Sequence, residues 1–493
     1  MTVITEGKSF KSYAYLIFLC LSVLINFIIY PQLMVLHIFS LVYIGIIYYK
    51  FSTDFSKLIT CSLILFGTIG SNMYFYIKSS CIYYYFVLIF IYYINFVYTI
   101  IKNKQIHNMI KKAKNTYFIV FFIICLYTVV SVFTSSNVSV AISSVKNNII
   151  MLSLVFIIAI EFTNKNNVKE YAKFFMWLII GVLVLGTIEI IGIRYGLKNT
   201  FVYLQVPVAQ FPHIKHVPVV FFYNPNNYSL FLVLSMIVIL YKIFYPRNNK
   251  ENYIYYLIYI IALINLIFAM SRTAWISLNM TLGFIVVFYV INREWRCTIN
   301  ATKVFILTLI IMFGLSHVNF MKPYYGKMQK ITNIEIGGEN NNINNDEANV
   351  LKVGNSGSTN IRYTLLFDVA KGVFKDKNYF GFGPGNTSLY IKSLNNTHKI
   401  HSIHSFWFEI LGDYGVFIFT LVIVFYLLVC WNILYKYRNE KGYIKNASCI
   451  FGFLMFAIVF VVFGPSSVIN LPIFNLIFGA CIGFSFKYKG KVI

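Results

Sequence analysis

Charge is what this sequence has least of. Only 12% of its 493 residues are charged, and 16 acidic side chains stand against 41 lysines and arginines. Soluble globular domains carry about a quarter charged residues, so a water-facing surface wrapped around one core is excluded. Paired cysteines are missing as well. None of the eight shows CxxC spacing, and Cys20, Cys61, Cys81, Cys125, Cys430, Cys449 and Cys481 fall in or beside apolar runs. They read as small packing residues, not as a disulfide framework or metal ligands. Metal-binding clusters are equally scarce: His401 and His404 supply two ligands where a zinc site needs three or four, so no metal is expected. The first apolar run, 13–30, lacks a small-residue cleavage site and is followed at once by another, so it reads as a retained helix. No repeat of solenoid period is visible.

What is abundant is apolar surface. Hydrophobic residues make up 59% of the chain and the mean hydropathy is +0.71. Apolar runs of roughly 17 to 25 residues recur, each long enough to cross a hydrocarbon core about 30 Å thick as a helix. The expected fold is therefore an all-α integral membrane protein with about 14 transmembrane helices. By hydropathy they run 13–30, 32–49, 58–77, 81–101, 116–134, 147–162, 174–192, 217–241, 253–270, 273–291, 303–318, 406–434, 447–463 and 467–486. This divides the chain into helices 1–11 with short loops (1–318), one large loop (319–405) and helices 12–14 with the C-terminus (406–493).

Basic residues give the orientation. With a cytoplasmic N-terminus, 25 of the 41 lysines and arginines lie inside, and 10 of the other 16 belong to the long loop, where the positive-inside rule carries little weight. Clusters between apolar runs are where membrane topology places basic residues, so the net charge of +25 does not point to nucleic acid. Both termini are then cytoplasmic. The exterior receives the connection 193–216, the turn at Ser271 and Arg272, and the loop 319–405.

That loop has three parts. IGGENNNINNDEANV (336–350) buries too little apolar surface to fold alone and reads as a linker. In 358–376, Ile361, Leu365, Leu366, Val369, Val373 and Phe374 share a helical face, which predicts an amphipathic helix on the membrane with Ser358 or Thr359 as N-cap. GFGPGN (381–386) follows as a turn; it lacks the Lys and Ser/Thr of a P-loop, and no nucleotide is expected there.

The candidate site residues gather on the same exterior face. His401 and His404 stand just before the twelfth span, with Glu409 and Asp413 four residues apart on one helix face below them. A carboxylate inside a bilayer needs a partner or a water-filled cavity, and a structural salt bridge from Asp413 to an arginine is the plain alternative to a site. Arg272, Arg362 and Arg194 are the exterior arginines, whose planar forks match phosphate oxygens; a lone interfacial arginine otherwise snorkels to water. Asn224 and Asn226, around Pro225, sit at the mouth of the eighth span, where capping alone would explain an asparagine.

The order of these motifs, NPN at a span start, SRTAW between spans, an exterior loop with an arginine and GFGPGN, then IHSFWFEILGDYGVFIF, resembles the O-antigen ligase and polysaccharide polymerase superfamily of bacterial membrane glycosyltransferases. The family pattern has an Asn after its histidine; here His404 is followed by Ser405, and Asp413-Tyr414-Gly415 fills the acidic position. The resemblance implies a GT-C-type helical fold in the bacterial cytoplasmic membrane. It also implies a polyprenyl-diphosphate-linked glycan donor, a glycan acceptor, no nucleotide sugar, no metal or other cofactor, and possible flippase and chain-length regulator partners. His404 would act on the acceptor hydroxyl, with His401 as second choice. Arg272 and Arg362 would hold the diphosphate, and Asp413 or Glu409 would order the histidine region. A polymerase is the expected activity. A ligase differing only in acceptor, and a flippase or transporter for the same glycans, are the alternatives; a transporter would place its site near the midplane between repeats.

Overall fold

In lipid every backbone N–H and C=O must find a partner within the protein, which leaves apolar runs little choice but the helix. The computed structural model describes residues 10–77, 80–102, 116–193, 212–246, 248–325, 352–355 and 357–486. Arg194 and the Asn-rich stretch 336–350 lie outside the described residues.

The first helices are α1 (Phe10–Ile29), α2 (Met34–Phe51), α3 (Phe55–Ile69) and α4 (Tyr84–Lys102). Pro31 opens a short 3-10 turn between α1 and α2, and the Asp54 side chain caps α3 by accepting from the Lys57 amide. Next come α5 (Thr116–Val130), α6 (Val138–Glu161), α7 (Lys165–Ile190), α8 (Pro225–Phe244), α9 (Asn249–Phe268), α10 (Arg272–Ile291) and α11 (Trp295–Ser316). Two short helices, α12 (Ser358–Ala370, continued by a π turn Lys371–Lys375) and α13 (Thr387–Leu394), precede α14 (Phe406–Asn439), α15 (Gly442–Val461) and α16 (Pro472–Ser485). Among the described residues, ten helices are long and apolar enough to cross a membrane, and shorter apolar helices cover Ile119–Val130, Asn252–Phe268 and Pro472–Ser485.

Three expectations need correction. The run 58–77 is not helical throughout: α3 ends at Gly70, whose φ of 64° breaks the helix, and Tyr74–Ile77 pairs antiparallel with Ser80–Tyr83 as a β-hairpin. Aromatic and branched residues suit either geometry, and hydropathy does not separate a period of 2 from one of 3.6 over so short a run. The helix expected over 358–376 is present, but Gly357, not Ser358 or Thr359, stands at its N-cap. Its apolar face does not rest on a bilayer either. Ile361, Leu365, Val369 and Val373 are buried against Ile391, Ile403 and Leu411, while Phe374 points outward.

Helix α8 is the hub. Nearly every residue of it is buried, and it packs against α9, α10 and α15. Helices α6 and α16 approach closely because Gly479 and Gly483 carry no Cβ; one at Gly479 would meet the Val155 carbonyl oxygen at 2.8 Å. Small residues at such crossings let backbones touch where lipid offers no hydrophobic drive.

Candidate functional site

The segment entering α8 is held by a carboxylate that hydropathy passes over. Glu189, at the end of α7, accepts from the amides of Val219 (2.6 Å) and Val220 (2.9 Å). Asn72 donates to the Phe221 carbonyl, and Val220 and Tyr223 take left-handed backbone angles of 48° and 58°. The chain thus delivers Asn224 as N-cap, its side chain accepting from the Asn226 amide at 2.8 Å with Pro225 at the first helical position. The capping explanation of Asn224 holds, and the same cap turns Asn226 toward a cavity.

SRTAW forms the tight corner between α9 and α10. Met270 is left-handed at φ 56°, and the fully buried Trp275 closes the corner by donating from Nε1 to the Leu266 carbonyl at 2.9 Å. Arg272 and Thr273 therefore open α10 at the same end of the bundle. Packing of α12 brings Arg362 to this corner, where its Nη1 donates to Thr273 Oγ1 at 3.2 Å.

His404 occupies a left-handed position (φ 54°) immediately before α14, and Ser405 caps that helix by accepting from the Phe408 amide. The residue after the histidine is thus a capping residue. His404 Nδ1 faces the Gly464 carbonyl at 3.3 Å. A carbonyl only accepts, so Nδ1 carries the proton and Nε2 keeps its lone pair. Gly464 belongs to the turn between α15 and α16, whose Ser467 bonds the Glu409 side chain. Glu409 thereby braces the segment that holds the histidine.

These pieces meet at a cavity of about 230 Å³ lined by Asn224, Asn226, Met270, Ser358, Arg362 and His404. Arg272 stands close enough for its charge to act on Arg362. Burial, then the charge of Arg362, pushes the His404 pKa down to about 4, against a weaker upward pull from Gly464; burial, then Arg272, lowers Arg362 to about 10. At neutral pH the cavity therefore holds a neutral imidazole beside cations, an environment that an anion would relieve. His401 does not line it.

Asp413 does something else. Its carboxylate accepts from the amides of Gly385 (2.8 Å) and Thr387 (3.3 Å) and from Thr387 Oγ1 (2.5 Å). The amides of Phe382 and Gly383 add bonds to the carbonyls of Gly412 and Asp413, and Val416 N–H donates to Tyr379. GFGPGN is thus a strap laid across a break in α14 at Gly415 (φ 74°). The strap demands glycine: a Cβ on Gly381 would meet Gly415 N at 2.6 Å, and one on Gly415 would collide with Tyr379 O. Asn386 ties it onward, accepting from the Asn137 amide at 3.0 Å. Backbone amides and a hydroxyl, in place of the arginine considered from sequence, are the partners of Asp413. Glu189, Thr273, Gly464 and Ser467 escaped sequence reading, because each acts through contacts distant along the chain.

This architecture is that of a multi-pass α-helical membrane protein with a polar, cationic cavity at one end of the bundle. Residues 257–423 match the O-antigen ligase family, a stretch that includes Arg272, Arg362, His404 and Asp413 but not Asn224 or Asn226. The chain is also similar to the teichuronic acid biosynthesis protein TuaE of Bacillus subtilis (strain 168), 22% identical over 369 residues that cover 72% of this chain and 68% of that protein. Both similarities support the O-antigen ligase and polysaccharide polymerase superfamily that the order of motifs resembles.

Proposed function

We propose that the protein is a membrane glycosyltransferase that polymerises polyprenyl-diphosphate-linked repeat units at the outer leaflet of the cytoplasmic membrane, with both termini cytoplasmic. The observation that carries this reading is the cavity in which His404, Arg362, Asn224 and Asn226 converge, with Arg272 beside it. An acceptor hydroxyl oxygen attacks the anomeric carbon of the donor. The bond from that carbon to the diphosphate oxygen breaks, its electron pair leaves with the diphosphate, and the hydroxyl proton passes to Nε2 of His404. Arg362 and Arg272 take up the charge gathering on the leaving diphosphate. Arrival of that anion offsets the arginine charge on His404 and strengthens it as a base at the moment of need. In this reading Asn226 bonds sugar hydroxyls, Glu409 positions the Gly464 turn, and Asp413 fixes the strap. Lipid-linked glycan would be delivered by a flippase, and a chain-length regulator would act on the product.

The test is purified wild-type protein in nanodiscs incubated with lipid-linked oligosaccharide from its host, alongside His404→Ala, Arg272→Ala and Arg362→Ala. A product ladder from the wild type that the variants fail to make supports polymerisation here. A single transfer to an added acceptor would instead make the protein a ligase. Glycan movement across vesicles without any new glycosidic bond would overturn the enzyme reading.

A further inference from the structure

The turn that enters α8 serves two cavities. Its Asn224, Pro225 and Asn226 line the one that holds His404, whereas Phe221, Phe222, Tyr223 and Asn227 line another, of about 250 Å³. The remaining walls of this second cavity come from the end of α3, the start of α4, α6 and the turn into α16. That last turn is shared as well: Gly464, which accepts from His404, and Asn470, which lines the second cavity, both lie in the connection between α15 and α16. The two cavities are therefore neighbours at one end of the bundle.

Their chemistry differs. The first is cationic, whereas no charged residue is among the described lining residues of the second. One wall of it is aromatic and rigid: Tyr83 and Tyr85 lie parallel, with ring planes 2° apart and centroids at 5.7 Å, and Phe86 stands edge-on to both. Three amides complete it. Asn147 and Asn470 make no side-chain hydrogen bond among the described residues. Asn227 is buried and donates to the Phe222 carbonyl at 3.4 Å, while its Oδ1 has no donor among the described residues. Buried amide oxygens are rarely left so, and a hydroxyl would satisfy this one. Uncharged amides beside an aromatic wall match a sugar ring, whose C–H face is apolar and whose hydroxyls both donate and accept. An acyl chain would leave three amides against hydrocarbon, and a phosphate would find no cation.

We propose that this second cavity is a glycan subsite that binds an uncharged sugar away from the bond made at His404, its ring against Tyr83 and its hydroxyls on Asn147, Asn227 and Asn470. The proposal rests on the reading that the substrate is a glycan, and adds that part of its specificity is read beyond the reacting bond.

The probe is the host's oligosaccharide repeat unit released from its lipid, which carries neither diphosphate nor tail, titrated by saturation-transfer NMR against the full-length protein in nanodiscs. Wild type and Arg362→Ala should bind it alike. Tyr83→Ala and Asn147→Leu/Asn470→Leu should each weaken binding about tenfold. Thermal midpoints check folding, and if Tyr83→Ala proves unfolded the double variant decides. No binding by wild type, unchanged binding in the double variant, or loss of binding in a folded Arg362→Ala overturns the subsite. Since no bond is made in this titration, a protein that binds this way yet forms no polymer sinks the polymerase reading and leaves the subsite standing. A polymerising protein whose variants bind like wild type does the reverse.

Discussion

At the scale of single residues, the site is governed by what surrounds one imidazole. Because the His404 pKa is pushed down to about 4, its neutral form persists through weak acid, and protonation sets in only below about pH 5. The rate of diethyl pyrocarbonate modification of His404 should therefore hold from pH 7 to 5 and fall below that. In Arg362→Gln, with the cation gone, the fall should move to higher pH, though not fully to 6.5, since burial is the larger cause. The sign for stability is fixed too: the unfolded chain takes up this proton near pH 6.5 and the folded one only near 4, so His404 costs stability as pH falls between those values. Thr273 is the second residue to test. It holds the Arg362 fork at 3.2 Å, so Thr273→Val should lower kcat/KM for the lipid-linked donor about tenfold, with a fall in kcat because Arg362 meets charge that gathers only as the diphosphate leaves, read by steady-state kinetics.

At the scale of elements, the strap and the break in α14 are one device. Removing its anchor in Asp413→Asn turns an acceptor of three donors into a group that must present an amide to them. A loss of about 2–3 kcal/mol is expected, seen as a lowered thermal midpoint in detergent. Gly415→Ala should act more sharply, because the new methyl meets Tyr379 O and the φ of 74° disfavours any side chain; cleavage within 376–400 by added protease reports it. Here sequence reading goes part of the way. An acidic residue inside an apolar run announces that Asp413 has partners, and GFGPGN announces a turn. That the two are partners of each other is invisible along the chain, since 28 residues separate Gly385 from Asp413.

At the scale of the whole molecule, the proposed function needs the cavity of His404 and Arg362 on the exterior, the side to which the distribution of basic residues points. In a cysteine-free background, Lys392→Cys should react with an impermeant maleimide added to intact cells, and Lys441→Cys only after lysis. The reverse pattern would put the glycan site on the wrong side for a flipped substrate. The match to the O-antigen ligase family covers 257–423, yet the cavity also draws on Asn224, Asn226 and, through Glu189, the end of α7. The site is a property of the bundle more than of the matched segment.

The sequence by itself determined the helical membrane class, because long apolar runs leave the backbone only one way to satisfy its hydrogen bonds. It also determined most helix positions and the candidacy of His404, Arg362 and Asp413, since titratable groups in lipid are costly enough to stand out. The tertiary structure decided which of these meet. It set His404 with Arg362 and left His401 off the cavity, gave Asp413 a strap in place of an arginine, turned the apolar face of α12 onto protein, and made a hairpin of the end of a presumed span. Those outcomes rest on contacts between residues far apart in the chain, and local pattern carries no record of them.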